Sequence, residues 1–177
     1  MANQRRLDSA KLWEYAVRTL AGRAHSLGEL REKLRARAER LEDVEPALAR
    51  LKDYGYLDDR GFAESFARAR LENQRFGKFR VLRELRARRV APSVAERSVG
   101  RVYDGVDEER LIEEALRRKY RNRSSEALFN DDSETAAAYR RLLRAGFTSA
   151  SIVRVLKRFA KNPELLDQIE VPEEPLQ

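Results

Sequence analysis

The chain has 177 residues, 38% of them charged and 42% hydrophobic, with a formal net charge of +7 and no cysteine. That length holds one ordinary domain or a few very small ones, and the missing cysteine excludes disulfides, thiol nucleophiles and cysteine-based zinc or iron–sulfur sites. A single histidine, His25, leaves little scope for a metal cluster, and no apolar run approaches the roughly 20 residues of a membrane span.

The opening Met1-Ala2-Asn3-Gln4-Arg5-Arg6 is followed by no apolar segment of signal-peptide type, so a cytoplasmic location is expected. Arg, Leu, Ala and Glu dominate the rest of the chain, and all four propagate helices well. Three amphipathic segments with apolar residues three or four apart come first, at roughly 9–23, 27–37 and 43–54. Ser26-Leu27-Gly28-Glu29 fits a capping box before the second. Pro46 suits the first turn of the third, and Gly55 suits a left-handed cap after it. Asp58 or Asp59 can then cap the next helix, whose apolar face includes Phe62 and Phe66.

The pattern then repeats. Leu12, Ala16 and Leu20 stand to Leu34, Leu48 and Leu51 as Ala63, Ala67 and Leu71 stand to Leu85, Val99 and Val102, every pair 51 residues apart. A more divergent third copy carries Ile112, Leu116 and Tyr120, then Leu142, Ile152, Leu156 and Phe159. Its extra length falls in Arg121–Thr135, which reads as a loop insertion. The expected fold is all-α: three tandem three-helix repeat units in an elongated, curved body. The units are 1–57 with an N-terminal lead, 58–106, and 107–161 with the insertion near 121–135. An acidic tail at 162–177, expected to be partly ordered, follows. Leu34, Leu85 and Leu142 are expected at equivalent core positions.

Charge divides unevenly. The three units carry +3, +5 and +4, whereas the tail carries −5. A basic body favours polyanions or acidic protein surfaces through long-range attraction; the plain alternative is arginine decorating solvated helix faces. The densest stretch, Arg70 to Arg89, holds Arg70, Arg75, Lys78, Arg80, Arg83, Arg86, Arg88 and Arg89 against Glu72 and Glu84. Val81, Leu82 and Leu85 form its apolar stripe, leaving Arg80, Arg83 and Arg86 mostly outward, and Phe76 and Phe79 read as core rather than stacking platforms. The candidate basic surface is Arg31, Arg35 and Arg37, then Lys78, Arg80, Arg83, Arg86 and Arg88, then Arg140, Arg141 and Arg144. Arginine forks suit phosphate or carboxylate contacts.

Catalytic equipment is not evident. Gly77-Lys78 is followed by Phe79, and Glu72 stands where a P-loop needs its first glycine. Asp58-Asp59 reads as a helix start, Asp131-Asp132 as a solvated loop and His25 as a surface or turn residue. No catalytic residue, metal site or cofactor is assigned.

Four segments in order resemble the RecX family: RAHSLGELREKL at 23–34, GYLDDRGFAESFARAR at 55–70, FGKFRVLRELRARRV at 76–90 and LLRAGFTSASIVRVL at 142–156. Together they cover roughly residues 10–160. Arg89 departs from the pattern, standing where the family often has glycine, as Gly146 does here, so another turn geometry is expected there. The resemblance implies a non-enzymatic protein without a cofactor that binds the RecA filament on single-stranded DNA; a monomer is expected. It implies inhibition of ATP hydrolysis, strand exchange and co-protease activity, within recombination, repair and the SOS response. Direct contact with single- or double-stranded DNA is a further expectation, and membrane association is not. Two other readings stay open. A helix-turn-helix-like DNA-binding protein would show sequence preference on duplex DNA; a helical scaffold would bind no RecA filament.

Overall fold

The computed structural model describes residues 6–122, 128–129 and 131–168. Among these it contains nine α-helices and no strand: α1 Ser9–Gly22, α2 Leu27–Arg37, α3 Val44–Asp53, α4 Asp59–Ala69, α5 Lys78–Ala87, α6 Pro92–Val102, α7 Glu108–Lys119, α8 Asp132–Arg144 and α9 Ser149–Lys157. The fold is an all-α helical repeat. No helix of the described residues is long and apolar enough to cross a membrane.

Short polar side chains set the helix starts by accepting hydrogen bonds from otherwise unpaired N–H groups. Asp8, Asp107 and Asp131 accept from the third residue beyond them at 2.9, 3.0 and 2.8 Å. Ser26 and Glu29 form the expected capping box. Asp58 accepts from Arg60 N–H at 3.0 Å, while Asp59 reaches away to the N–H of Leu27 at 2.6 Å. Gly55 takes φ +73°, a left-handed cap after α3.

The chain forms two compact units, Met1–Ala67 with Glu84–Val102, and Arg68–Arg83 with Tyr103–Gln177. These are a different division from the repeats, because the second repeat contributes to both. In the first unit Leu12, Ala16, Leu30, Leu34, Val44, Leu48 and Leu51 are buried together. Ala63, Ala67, Leu85, Ala95 and Val99 are also buried there. In the second unit Ile112, Leu116, Ala138, Leu142, Phe147, Ile152, Val155 and Leu156 form the core. Leu34, Leu85 and Leu142 are 0%, 0% and 2% exposed.

Three expectations are corrected. Arg89 keeps the left-handed turn (φ +57°) despite its side chain, just as Gly146 does at φ +92°. Within the insertion Leu128 and Phe129 are buried, and Phe129 meets Tyr120 edge-on with centroids 5.4 Å apart. Asp131 caps α8 and Asp132 begins it, so that pair is a helix start as well. His25 is buried rather than superficial. Residues 123–127 and 130 of the insertion lie outside the described residues, as do 169–177 of the tail. The start of the tail, Pro163–Gln168, is a 3₁₀ helix that buries Leu166 in the second unit's core.

Candidate functional site

The predicted basic residues divide between the two units and differ in what they do there. In the first unit several are engaged internally. Arg31 makes a two-pronged contact with Glu45 at 2.8 and 3.1 Å, holding that carboxyl below its usual range. Arg37 lies over the Tyr15 ring, 5.2 Å from its centroid. Arg88 pairs with Glu29 at 3.4 Å and lies over Phe66 at 5.1 Å. Burial pushes the Glu29 carboxyl up, but hydrogen bonds from Arg23 and the Ser26 N–H outweigh it and hold the group below its ordinary value. Arg35 and Arg86 are exposed.

The second unit brings others together. Arg80, Arg141 and Arg144 line one cleft of about 460 Å³ with Arg75, Arg118 and Lys119; no carboxylate belongs to its lining. Four elements converge there, one of them the first turn of α5, which supplies Arg80. A π-helical turn, Arg70–Gln74, ends in Arg75 at φ +56°. Such a left-handed conformation costs a non-glycine residue roughly 1–2 kcal/mol. The last turn of α7 supplies Arg118 and Lys119, and the last turn of α8 supplies Arg141 and Arg144.

The start of α5 is clamped onto the turn after α8. Gly77 N–H donates to the Ala145 carbonyl at 2.8 Å, Phe79 N–H to the Gly146 carbonyl at 3.1 Å, and the Arg83 guanidinium to the Arg144 carbonyl at 3.0 Å. The approach requires glycine at both backbones. A Cβ on Gly77 would overlap the Gly146 carbonyl, and one on Gly146 would overlap the Arg80 backbone.

Two of the cleft's guanidiniums rest on aromatic rings. Arg80 sits 3.6 Å above the Phe76 centroid, close enough to require a face-on arrangement. Arg141 lies 5.2 Å from the Tyr120 centroid, with its nitrogens 3.5 Å from the phenol oxygen. Arg118 donates to the Gln74 carbonyl at 3.4 Å, and Arg75 pairs with Glu114 at 3.5 Å. Arg80 is therefore half-buried, not mostly outward, while Lys78, Arg83, Arg86 and Arg140 are exposed. Phe76 and Phe79 are half-buried rather than core.

Sequence reasoning missed Arg118 and Lys119 and left Arg75 out of the candidate surface. Arg117-Arg118-Lys119 is a legible basic run, but such a run also complements the carboxyl end of any helix dipole. Among the described residues no group of three His, Asp or Glu side chains is placed to hold a metal ion.

Comparison with known proteins concerns the chain as a whole. Residues 58–98 match the family described as RecX, second three-helix domain. The regulatory protein RecX of Thermus thermophilus is 42% identical over 115 residues, which span 64% of this chain and 73% of that protein. RecX of Deinococcus radiodurans is 31% identical over 150 residues, spanning 85% of this chain and 69% of its own length. The crystal structure of RecX from Lactobacillus salivarius superposes with a TM-score of 0.67 over 84% of this chain and 94% of that one, at 19% identity. The helical architecture is thus shared with a solved RecX, and the sequence likeness over most of a relative's length settles the grouping: the chain belongs to the RecX family of regulatory proteins.

Proposed function

We propose that this protein binds the RecA filament on single-stranded DNA and lowers its ATPase, strand-exchange and co-protease activities, acting by binding alone and without a cofactor. The observation that carries the reading is the 42% identity to a regulatory RecX across most of that protein's length. The charge of the chain supports it: a +7 protein is attracted to a DNA-bearing assembly, and salt screens that attraction. The three repeats at 1–57, 58–106 and 107–161 are proposed as the modules that make the contacts, with Arg31, Arg35, Arg37, Lys78, Arg80, Arg83, Arg86, Arg88, Arg140, Arg141 and Arg144 as candidate contact residues.

The test is a titration of the protein into RecA filaments on single-stranded DNA, with ATP hydrolysis as the readout. Inhibition at substoichiometric or near-equimolar ratios, retained when DNA is in excess, is expected. Inhibition that vanishes with excess DNA means competition for the strand, which favours a DNA-binding protein. No inhibition and no filament binding in a sedimentation assay leaves the scaffold reading.

A further inference from the structure

We propose that the cleft beside α4 of the first unit is a docking site for an arginine side chain of a partner protein. The guanidinium sits on the Asp58 carboxylate, and the aliphatic stem lies along Leu20, Tyr56 and Phe62. This contact is opposite in sign to the basic surface and involves no nucleic acid, so it stands or falls separately from the regulatory reading.

The segment 55–66 supplies most of the cleft, and the end of α1 with the turn after it supplies the rest. Folding uses only part of that segment. Leu57 and Ala63 are buried, and Asp59 accepts from the Leu27 N–H. Tyr56 and Asp58 stay exposed, while Phe62 and Phe66 are half-buried. These residues gather along one cleft of about 580 Å³.

Three observations point to an arginine. The first is charge. The chain carries 37 lysines and arginines, yet among the described residues none lines this cleft, and Asp58 is its one carboxylate. Burial holds the His25 imidazole below its ordinary value, so this wall residue adds no positive charge at neutral pH. Arg88, which lies over Phe62 and Phe66, is already paired with Glu29. A chain of net +7 repels a cationic partner in general, and a negative cleft sets where such a partner can dock.

The second observation is the state of Asp58. It accepts one hydrogen bond, from the Arg60 N–H at 3.0 Å, and enters no ion pair among the described residues. Gly61 leaves room for that carboxylate, because a Cβ there would strike Asp58 Oδ2. Glycine weakens a helix; here its missing side chain lets the carboxylate lie against α4. The third observation is an uncovered ring. Trp13, Tyr15, Phe62, Phe76 and Tyr120 each carry one of the chain's own guanidiniums. Tyr56, 58% exposed, carries none among the described residues. Arginine can lay its flat face on such a ring while its forked edge meets a carboxylate, which lysine cannot do. Tyrosine and arginine are also among the residues that most often anchor protein contacts.

The experiment titrates acetyl-Leu-Arg-Leu-amide into the isotope-labelled full chain and follows the backbone amide signals by NMR. Saturable shifts at Tyr56, Asp58, Gly61 and Phe62 in the millimolar range are expected. Replacing the central arginine with norleucine should weaken binding by about fivefold or more, and glutamate should weaken it further. Asp58→Asn retains a helix cap without the charge; it should reduce the arginine peptide to the affinity of the norleucine one. Gly61→Ala displaces the carboxylate and should also weaken binding, with little change in melting. Asp53→Asn makes the same charge change at an exposed position outside the cleft and should have no effect. Thermal melts check each fold, and the peptide series on the unaltered chain decides the matter if a variant unfolds. Equal affinity for the norleucine or glutamate peptide, or unchanged binding by a folded Asp58→Asn chain, would overturn the proposal. So would the absence of saturable shifts at those four residues.

Discussion

Gly28, in the first turn of α2, lies so close to Arg89 that a Cβ on residue 28 would overlap both the carbonyl oxygen and the Cβ of Arg89. The second unit holds the counterpart with the roles exchanged. There the turn residue is Gly146, and the residue it meets in the first turn of α5 is Arg80. Each crossing of a helix start with a left-handed turn is closed to a further Cβ: Gly28 makes the room in the first, and Gly77 with Gly146 makes it in the second. Gly28 leaves the space that the Arg89 carbonyl and Cβ occupy, while the left-handed strain at Arg89 itself remains. Ser26 reinforces the crossing by donating its hydroxyl to the Arg88 carbonyl.

This reciprocity predicts an asymmetric response to substitution. Gly28→Ala and Gly146→Ala should each destabilise their unit by at least about 1–2 kcal/mol, since backbone must move in both and Gly146 also has φ +92°. Arg89→Gly should be neutral or stabilising by up to about 1 kcal/mol. It removes left-handed strain at the cost of a more flexible unfolded chain, and the Glu32 contact it loses is long (3.8 Å) and exposed. Urea melts of the three variants check this; Gly28→Ala with unchanged stability would refute the crowding argument.

The repeat was legible because burial imposes it. Leu34, Leu85 and Leu142 recur at matching places and are all buried. The Ser26 cap was legible because a capping box is written in four adjacent residues. The cleft was not, since Arg75, Arg80, Arg118 and Arg141 are up to 66 positions apart and meet only through packing. Phe129 was hidden for another reason: one apolar pair inside a polar insertion carries no period to read. At Arg89 the rule against non-glycine left-handed residues pointed to another turn, but the chain keeps φ +57° there, packed against Gly28, 61 positions away.

The core positions give a second prediction. Leu34→Ala and Leu142→Ala, each 2% exposed or less, should cost about 2–5 kcal/mol. Ending the chain at Lys161 should also destabilise the second unit, because it removes Leu166, which is 1% exposed. Ending it at Gln168 retains Leu166 and removes only Glu170, Glu173 and Glu174 among charged residues. That shorter truncation isolates charge: if the tail screens the basic body, DNA binding at low salt should tighten while the melting temperature holds.

His25 supplies a pH prediction. Its side chain is buried, and desolvation depresses its pKa, helped by Arg23 and Lys33 and opposed by Glu29. The unfolded chain therefore binds the proton more readily than the folded one. Stability should be full above the ordinary histidine value of about 6.5 and fall as pH drops below it. This is the chain's only histidine, so the window between about pH 7.5 and 5.5 reports on it above the carboxylate range. Thermal melts across that window should show the first unit weakening, and His25→Gln should flatten the trend. An equal slope in the variant would assign the effect elsewhere.

The regulatory reading gives the last prediction, which turns on cations that the fold does not use. Arg35 and Arg86 are exposed on the first unit, whereas Arg31 and Arg88 are tied to Glu45 and Glu29. Reversing Arg35 and Arg86 to glutamate should therefore leave helix content and melting unchanged while weakening inhibition of the RecA ATPase. Surface charges act mainly on association rate and salt dependence, so the defect should be largest at low salt and shrink as salt rises. Reversing Arg31 and Arg88 should instead lower the melting temperature, because each leaves a carboxylate facing a new negative charge. If both pairs weaken inhibition equally and neither alters melting, internal ion pairing does not distinguish them. If neither pair changes inhibition at near-physiological salt, the basic face of the first unit is a solvated surface and the filament contacts lie elsewhere.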